Sequence, residues 1–409
     1  MTSYSSDTEQ ELRADFIKQA ARLKTWCRHA LEYWAKQAAD PRGGYAELLN
    51  RNGTPDFNHV RRVRVQARQA YVYAHAAHVG WFDGAKLACD HAWDFLTGPG
   101  FAGGAFILNA GSESVLGARG CAHLVKGDGR LHDDMRDLYA QAFVILAGAW
   151  RFRAFGDRDA LNVAQETIGF IDRSLSAGNG GWFEALPIQE NQLRRQNPHM
   201  HLFESMVALY NATQDKRFLD YADKLFELFK TVFFHADTGG VLEFFTPDWQ
   251  PEQDAAGGPL EPGHMLEWCW LLRSYEKVSG ADVSEYAEAL FEGAVKLGWN
   301  ETLSLVCNSV HVDGRQANTN LRSWAQTELI KASVAQAEAG DLSKLAYASA
   351  AIKAMFDTYL NVPILGGWED ELDASGQVIS STMPTSTFYH YFCAATEVDN
   401  LAGKLKMTS

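Results

Sequence analysis

"GGWFEALPIQENQLRRQNPHMHLFESMVALY", residues 180–210, sets a glycine pair and an aromatic stretch ahead of an apolar stripe that opens on Pro198 and two histidines. The stripe recurs at helical spacing, so its residues read as a helix. The Gly-Gly stretch before it reads as a small strand or hairpin. His199 and His201 pose a question. Two positions apart on a helix, their side chains splay roughly 200°, so one can face the core while the other faces a cavity.

The pattern returns along the chain. "GGYAELL" begins at Gly43, "GGAFILN" at Gly103, "GGVLEFF" at Gly239 and "GGWEDEL" at Gly366. Successive separations are 60, 77, 59 and 127 residues, so the last gap hides a degenerate member, and "CNSVHVDG" at 307–314 fits it. A period of this size implies a repeat architecture. A helix precedes each Gly-Gly stretch, as in "DKRFLDYADKLFELFKTVFF", and another follows, as in "GHMLEWCWLLRSYEKVSG". Six units predict twelve helices. Neither end shows an unusually polar capping helix, which favours closure over an open solenoid. The expectation is an all-α fold: one domain over residues 1–409, an (α/α)6 barrel of six helical hairpins with short β-hairpin loops.

Composition sets the outer bounds. The chain has 409 residues, 46% of them hydrophobic, enough for a large core. A net charge of −14 speaks against nucleic acid, whose phosphates call for a basic surface. No apolar run reaches the roughly 18 residues that cross a bilayer. The polar start "MTSYSSDTEQELRADF" is unlike a signal peptide, and a cytoplasmic location is expected. Six scattered cysteines without a CxxC are expected as buried thiols.

The second helix of each unit carries polar residues that fit poorly against an apolar core: Arg68, Tyr139, Asn197 with His201, His264 with Glu267, Trp324 with Glu328, and His390. The anchors Arg68, Tyr139, His201, His264, Trp324 and His390 stand 71, 62, 63, 60 and 66 residues apart. One comes from each repeat, so a closed ring brings all six to one end of its axis. Several lie near helix starts marked by proline, as in "QNPHMH", "LEPGHMLEW" and "TMPTSTFYH". The positive dipole end there disfavours a protonated imidazole. Glu267, three residues after His264 on one face, is expected to orient that ring. His75, His78, His123 and His132 lack such placement. Arg61, Arg62 and Arg64 are expected on a solvated basic face. Neither HExxH nor a zinc-type cysteine set is present, nor a P-loop or a GxGxxG, so neither metal nor cofactor is expected.

At these residues the sequence resembles the N-acylglucosamine 2-epimerase superfamily of sugar epimerases and isomerases. The likeness runs through "QARQAYVYA", "DLYAQAFVILA", "NPHMHLFESMVALY", "EPGHMLEWCWLL", "SWAQTELIKA" and "TSTFYHYF". It implies an (α/α)6 barrel and a metal-free, cofactor-free interconversion at C1 and C2 of an unmodified monosaccharide. It implies His264 and His390 as acid/base histidines, with Glu267 and His201 assisting. Arg68, Asn197, Tyr139, Trp324 and Glu328 are expected to contact the sugar. "RQNPHMH", "EPGHMLEW" and "MPTSTFYH" look most like the mannose isomerase branch, which would interconvert D-mannose and D-fructose; a monomer or homodimer is expected. Relatives often have His where this chain has Gln141. "TPDWQPEQDAAGGPLEPGH" before His264 holds no Arg or Lys, which speaks against an anionic sugar such as sulfoquinovose.

Other classes stay open. Returning the proton to C2 from the opposite face makes a 2-epimerase. The same barrel hosts glycoside hydrolases and lyases, for which Glu267 and Glu328 could be the acid pair. A non-enzymatic sugar-binding protein would use the aromatics but needs no array of histidines with paired carboxylates.

Overall fold

The computed structural model describes residues 6–101, 120–252 and 259–407. Among them are twelve α-helices: α1 (Ser6–Gln37), α2 (Val63–His78), α3 (Ala85–Thr97), α4 (Leu138–Phe155), α5 (Arg158–Ser174), α6 (Gln196–Thr213), α7 (Lys216–Leu228), α8 (Pro262–Ser279), α9 (Ser284–Gly298), α10 (Ser323–Glu338), α11 (Leu345–Asp357) and α12 (Phe388–Met407). Burial sorts them into two layers. In α10 every residue from Ser323 to Ala337 is buried, whereas α5 buries one stripe, Ala160, Val163, Ala164, Thr167, Phe170 and Ile171. The first pattern marks an inner helix and the second an outer one.

The even-numbered helices touch in order, and α12 returns to α2, so the inner ring is closed. The odd-numbered helices pack outside it, with α1 lying against α11 and α12. This is the (α/α)6 barrel. Trp34 of α1 stacks on Trp368 at 4.5 Å between ring centroids, and its Nε1 donates to Gly366 O at 2.9 Å. The first helix thereby seals the last unit.

Inner and outer helices join by tight turns at one end of the barrel. Gly156 and Gln214 end α4 and α6 in the left-handed conformation, and Asp157 and Asp215 directly cap α5 and α7. The long connections run at the other end. There a short strand leads straight into each inner helix and pairs with a strand of the next unit. Arg61–Arg62 pairs with Leu124–Val125, Arg136–Asp137 with Ala185–Leu186, and Arg194–Arg195 with Phe244–Phe245. Pro259–Leu260 pairs with Ser309–His311, Leu321–Arg322 with Glu371–Leu372, and Thr382–Pro384 with Leu48–Asn50. The last unit meets the first here too. "CNSVHVDG" supplies one of these strands, as the repeat predicts; "GGAFILN" lies outside the described residues.

The glycine pairs have a steric cause. Gly44 and Gly181 sit at φ +67° and +64°, and a Cβ would fall 2.7 Å from Gln66 Oε1 in one and 2.6 Å from the Trp249 ring in the other. The fourth residue of several inner helices grips this backbone. Gln66 bonds both N and O of Tyr45, Gln141 those of Cys121, and Gln326 those of Val306. Gln141 thus holds a loop in place.

One expectation about the arginines fails. Arg61 is fully buried, paired with Asp40 and donating to Gly43 O at 2.8 Å, so it is a loop staple. Arg64 is half-buried with its guanidinium 4.9 Å from the centre of the Tyr139 ring. Arg62 pairs with Glu47. All six cysteines are buried and unpaired. No helix among the described residues is long and apolar enough to cross a membrane.

Candidate active site

Every expected site residue lies in the first two turns of an inner helix, at the end where the strands form their collar. His199 and His201 separate as the helix geometry requires. His199 Nδ1 donates to Arg195 O at 2.8 Å and Nε2 accepts from Trp182 N at 3.2 Å. Burial pushes its pKa down to about 4, and both nitrogens are spent on backbone. His201 faces the axis instead, 4.9 Å from the Tyr139 ring, with Nδ1 on Glu204 Oε2 at 3.0 Å. Burial outweighs the pull of Glu267 and takes His201 down to about 3, a neutral ring.

His390 is held from behind. Its Nδ1 donates to Glu328 Oε1 at 2.8 Å, which fixes the tautomer and leaves Nε2 as a lone-pair base. Burial, followed by the positive charges of Arg68 and Lys331, holds its pKa well below the ordinary value. The second oxygen of Glu328 lies 2.6 Å from Lys331 Nζ, and both side chains are fully buried. Glu328 was expected to contact sugar. Fully enclosed behind His390, it acts on the ring and presents no surface to a ligand.

His264 differs from the expectation in both partner and charge. Glu267 is not its carboxylate. Nδ1 lies 2.9 Å from Glu243 Oε1 and 3.3 Å from Glu261 Oε2. Burial lowers its pKa, but the two carboxylates outweigh both burial and the helix dipole and raise it to about 10. Asn197 Nδ2 sits 2.9 Å from His264 Nε2, which suits a neutral ring; turned over, the amide offers Oδ1 to a charged one. Trp324 stands between the two histidines, 5.1 Å from His264 and 5.5 Å from His390 by ring centroid.

Glu267 sits at the centre, almost fully buried and 3.9 Å from Lys331 Nζ. It neighbours the groups of His201 and His390. Arg68 donates to Tyr139 Oη at 2.8 Å and to Ser386 O at 3.1 Å, with its guanidinium 4.8 Å from the Tyr389 ring. Tyr389 in turn donates to Glu204. All nine expected residues are thus joined in one network.

Sequence reading passed over Glu204, Glu243, Lys331 and Tyr389. Glu204 and Lys331 each stand three residues after an expected residue, at a helical spacing that could have marked them. Glu243 has a subtler signal in the repeat. Glu47 and Glu184 also stand three residues after a glycine pair, and they accept from the backbone N–H of Arg62 and Arg195, the cap residues of α2 and α6. The cap residue of α8 is Glu261, an acid. With no arginine there, Glu243 turns to His264 and to Gln196 Nε2 at 3.0 Å.

Side chains distant in sequence also come together in clusters of metal-ligand type. His201 with Glu204 and Glu267, His264 with Glu243 and Glu261, and His390 with Glu267 and Glu328 each bring three donor atoms within 4.8 Å of one another. Near Glu267 and Glu328 the Lys331 ammonium already supplies positive charge.

Comparisons with known proteins bear on the family and the fold. The family model for N-acylglucosamine 2-epimerase matches residues 43–394. A protein named mannose-6-phosphate isomerase from Rhizobium meliloti is 31% identical, over 94% of this chain and 98% of its own length. A D-mannose isomerase of Thermobifida fusca is 28% identical over 65% of this chain and 66% of its own. The structure of cellobiose 2-epimerase from Spirochaeta thermophila superposes with a TM-score of 0.80 at 22% identity, covering 98% of this chain and 99% of that one. With the closed barrel, the histidine-bearing helix starts and the family match in agreement, the chain belongs to the N-acylglucosamine 2-epimerase family of sugar isomerases and epimerases.

Proposed function

We propose that this enzyme is an aldose–ketose isomerase acting on the D-mannose/D-fructose skeleton through a cis-enediol. His390 carries the reading: its Nδ1 is committed to Glu328 and its ring is kept neutral, which leaves Nε2 as a general base. In the open-chain aldose, Nε2 removes the C2 proton. The C–H electron pair becomes the C1–C2 double bond, and the carbonyl electrons move to O1. His264, charged through Glu243, protonates O1 to give the cis-enediol. The protonated His390 then delivers its proton to C1 while neutral His264 takes the O2 proton, leaving a C2 ketone. Both histidines end as they began.

Arg68 and Asn197 stabilise negative charge on the oxygens as it develops, while neutral His201, its Nδ1 donating to Glu204, lines the site beside Tyr139 and can only accept through Nε2. Tyr139 positions Arg68, and Trp324 gives the sugar an apolar wall. Glu267 tunes the field beneath them together with Lys331. No cofactor enters these steps. The enclosure of Glu328 behind His390 speaks against the hydrolase reading, since an acid at a glycosidic bond must reach it.

The relatives' names divide between the free and the phosphorylated hexose, and the C1–C2 chemistry is common to both. The test is incubation with D-mannose and D-mannose 6-phosphate in deuterated water, followed by NMR. Ketose carrying deuterium at C1 supports isomerisation. Glucose or its phosphate with deuterium at C2 would instead make the enzyme a 2-epimerase, and no turnover of any aldose would sink both.

A further inference from the structure

The collar around the mouth is rich in arginine, and nearly all of it is spoken for. Arg62 pairs with Glu47, Arg195 with Glu184, and Arg322 with Asp370. Arg64 is the exception. Among the described residues its guanidinium has no ion-pair or hydrogen-bond partner, only the face of Tyr139 at 4.9 Å. Asp137, a nearby carboxylate, is engaged by His123 and by Ala140 N. Arg64 is nonetheless half-buried. A half-buried guanidinium without a carboxylate of its own is free to take a ligand anion.

Its position relates it to the site. Arg64 and Arg68 are i, i+4 on α2, one turn or roughly 6 Å apart along the axis. Both lie against Tyr139, which Arg68 reaches through Oη and beside which His201 stands. Arg64 therefore flanks the sugar site on its mouth side, away from the carboxylates around Glu267. Burial and the neighbouring charges of Arg62 and Arg68 lower its pKa, so positive charge is crowded here. The start of α2 adds the positive end of a helix dipole, which it shares with the Glu47 carboxylate that accepts from Arg62 N.

We propose that Arg64 forms an anion subsite for a phosphate monoester on C6 of the hexose. The proposal rests on the isomerase reading for the orientation of the sugar: C1 and C2 at His390 and His264, C6 toward the mouth. A dianion matches a guanidinium combined with a helix start better than a single charge does. The absence of Arg and Lys from the segment before His264 does not count against it, because the charge comes from α2.

The experiment compares kcat/KM for D-mannose 6-phosphate and D-mannose in wild type, Arg64→Gln and Arg64→Lys, with mannuronate as a singly charged control. Calorimetric binding of mannose 6-phosphate is measured on the same proteins. Wild type should prefer the phosphate ester at least tenfold. Arg64→Gln should shrink that ratio on the order of 10–100-fold, and Arg64→Lys should keep part of it. An unchanged ratio in Arg64→Gln, or a wild-type preference for free mannose, overturns the subsite. A ratio that falls only for mannuronate overturns the phosphate assignment. If wild type turns over neither sugar yet binds mannose 6-phosphate in an Arg64-dependent way, the isomerase reading falls and the subsite stands. Absence of Arg64-dependent binding then sinks the subsite as well.

Discussion

His264 is held by Glu243, a loop residue 21 positions earlier, at 2.9 Å, and Glu267 on its own helix is not its partner. The pairing gives His264 a charge that its place near a helix start would otherwise oppose. A pKa raised to about 10 means the charged form persists through neutral pH. The stabilising contribution is full below the unfolded value near 6.5 and is lost as pH rises through about 10.

Glu243→Gln should therefore move the alkaline limb of kcat/KM to lower pH, since His264 can no longer stay protonated. At pH 8 the variant should lose more activity than at pH 6. A profile that keeps the wild-type alkaline limb would mean that His264 does not act as the acid.

His390→Asn should abolish exchange at C2 while sparing the fold, because Asn keeps a donor toward Glu328. A loss of about 10²–10⁴-fold in kcat is expected for a general base. The depressed pKa adds a second reading. Wild-type activity should hold as pH falls through 6.5, where an ordinary histidine would already be protonated. An acid limb near 6.5, or retention of a tenth of kcat in the variant, would remove His390 from the role of base.

The repeat made the ring legible, because one anchor per unit leaves little choice of geometry. His201, His264, Trp324 and His390 meet as their shared period requires. The pairings were less legible. A carboxylate at i+3 on a helix is a candidate partner, yet Glu267 and His264 leave the helix in different directions, and a loop carboxylate reaches the ring first. Arg61 was misread for a related reason. Its neighbours Arg62 and Arg64 make a basic run in sequence, but a strand sends alternate side chains to opposite faces, and Arg61 turns inward to Asp40.

Lys331 is a buried cation between two buried carboxylates, and its loss strands their charges. Lys331→Met should destabilise the protein by about 3–5 kcal/mol, the usual cost of breaking a buried pair. Lys331→Met combined with Glu328→Gln should recover part of the loss in Tm, since the stranded charge is removed along with its partner. Recovery of Tm without recovery of kcat is expected, because in the double variant His390 loses its carboxylate. A single variant as stable as wild type would mean that Glu328 is protonated in the native protein and needs no cation.

Chelation separates the hydrogen-bonded and metal-bound readings of the three His/Glu groups. In the group around His390, Lys331 lies 2.6 Å from Glu328, and an added cation would face its repulsion. In the group around His201, Glu204 already accepts from His201 and from Tyr389. At His264 a second carboxylate, Glu261, keeps spare acceptor capacity 3.3 Å from the ring nitrogen. Burial and the nearby Glu243 charge raise the pKa of Glu261, though His264 opposes the shift. A proton on Glu261, or the charge on His264, can therefore do what a cation would. Dialysis against EDTA should leave kcat/KM unchanged, and adding back manganese or zinc should not raise it. If activity falls and one divalent ion restores it, the restored activity should vanish in Glu261→Gln, which would assign the ion to that group and remove His264 from the role of acid.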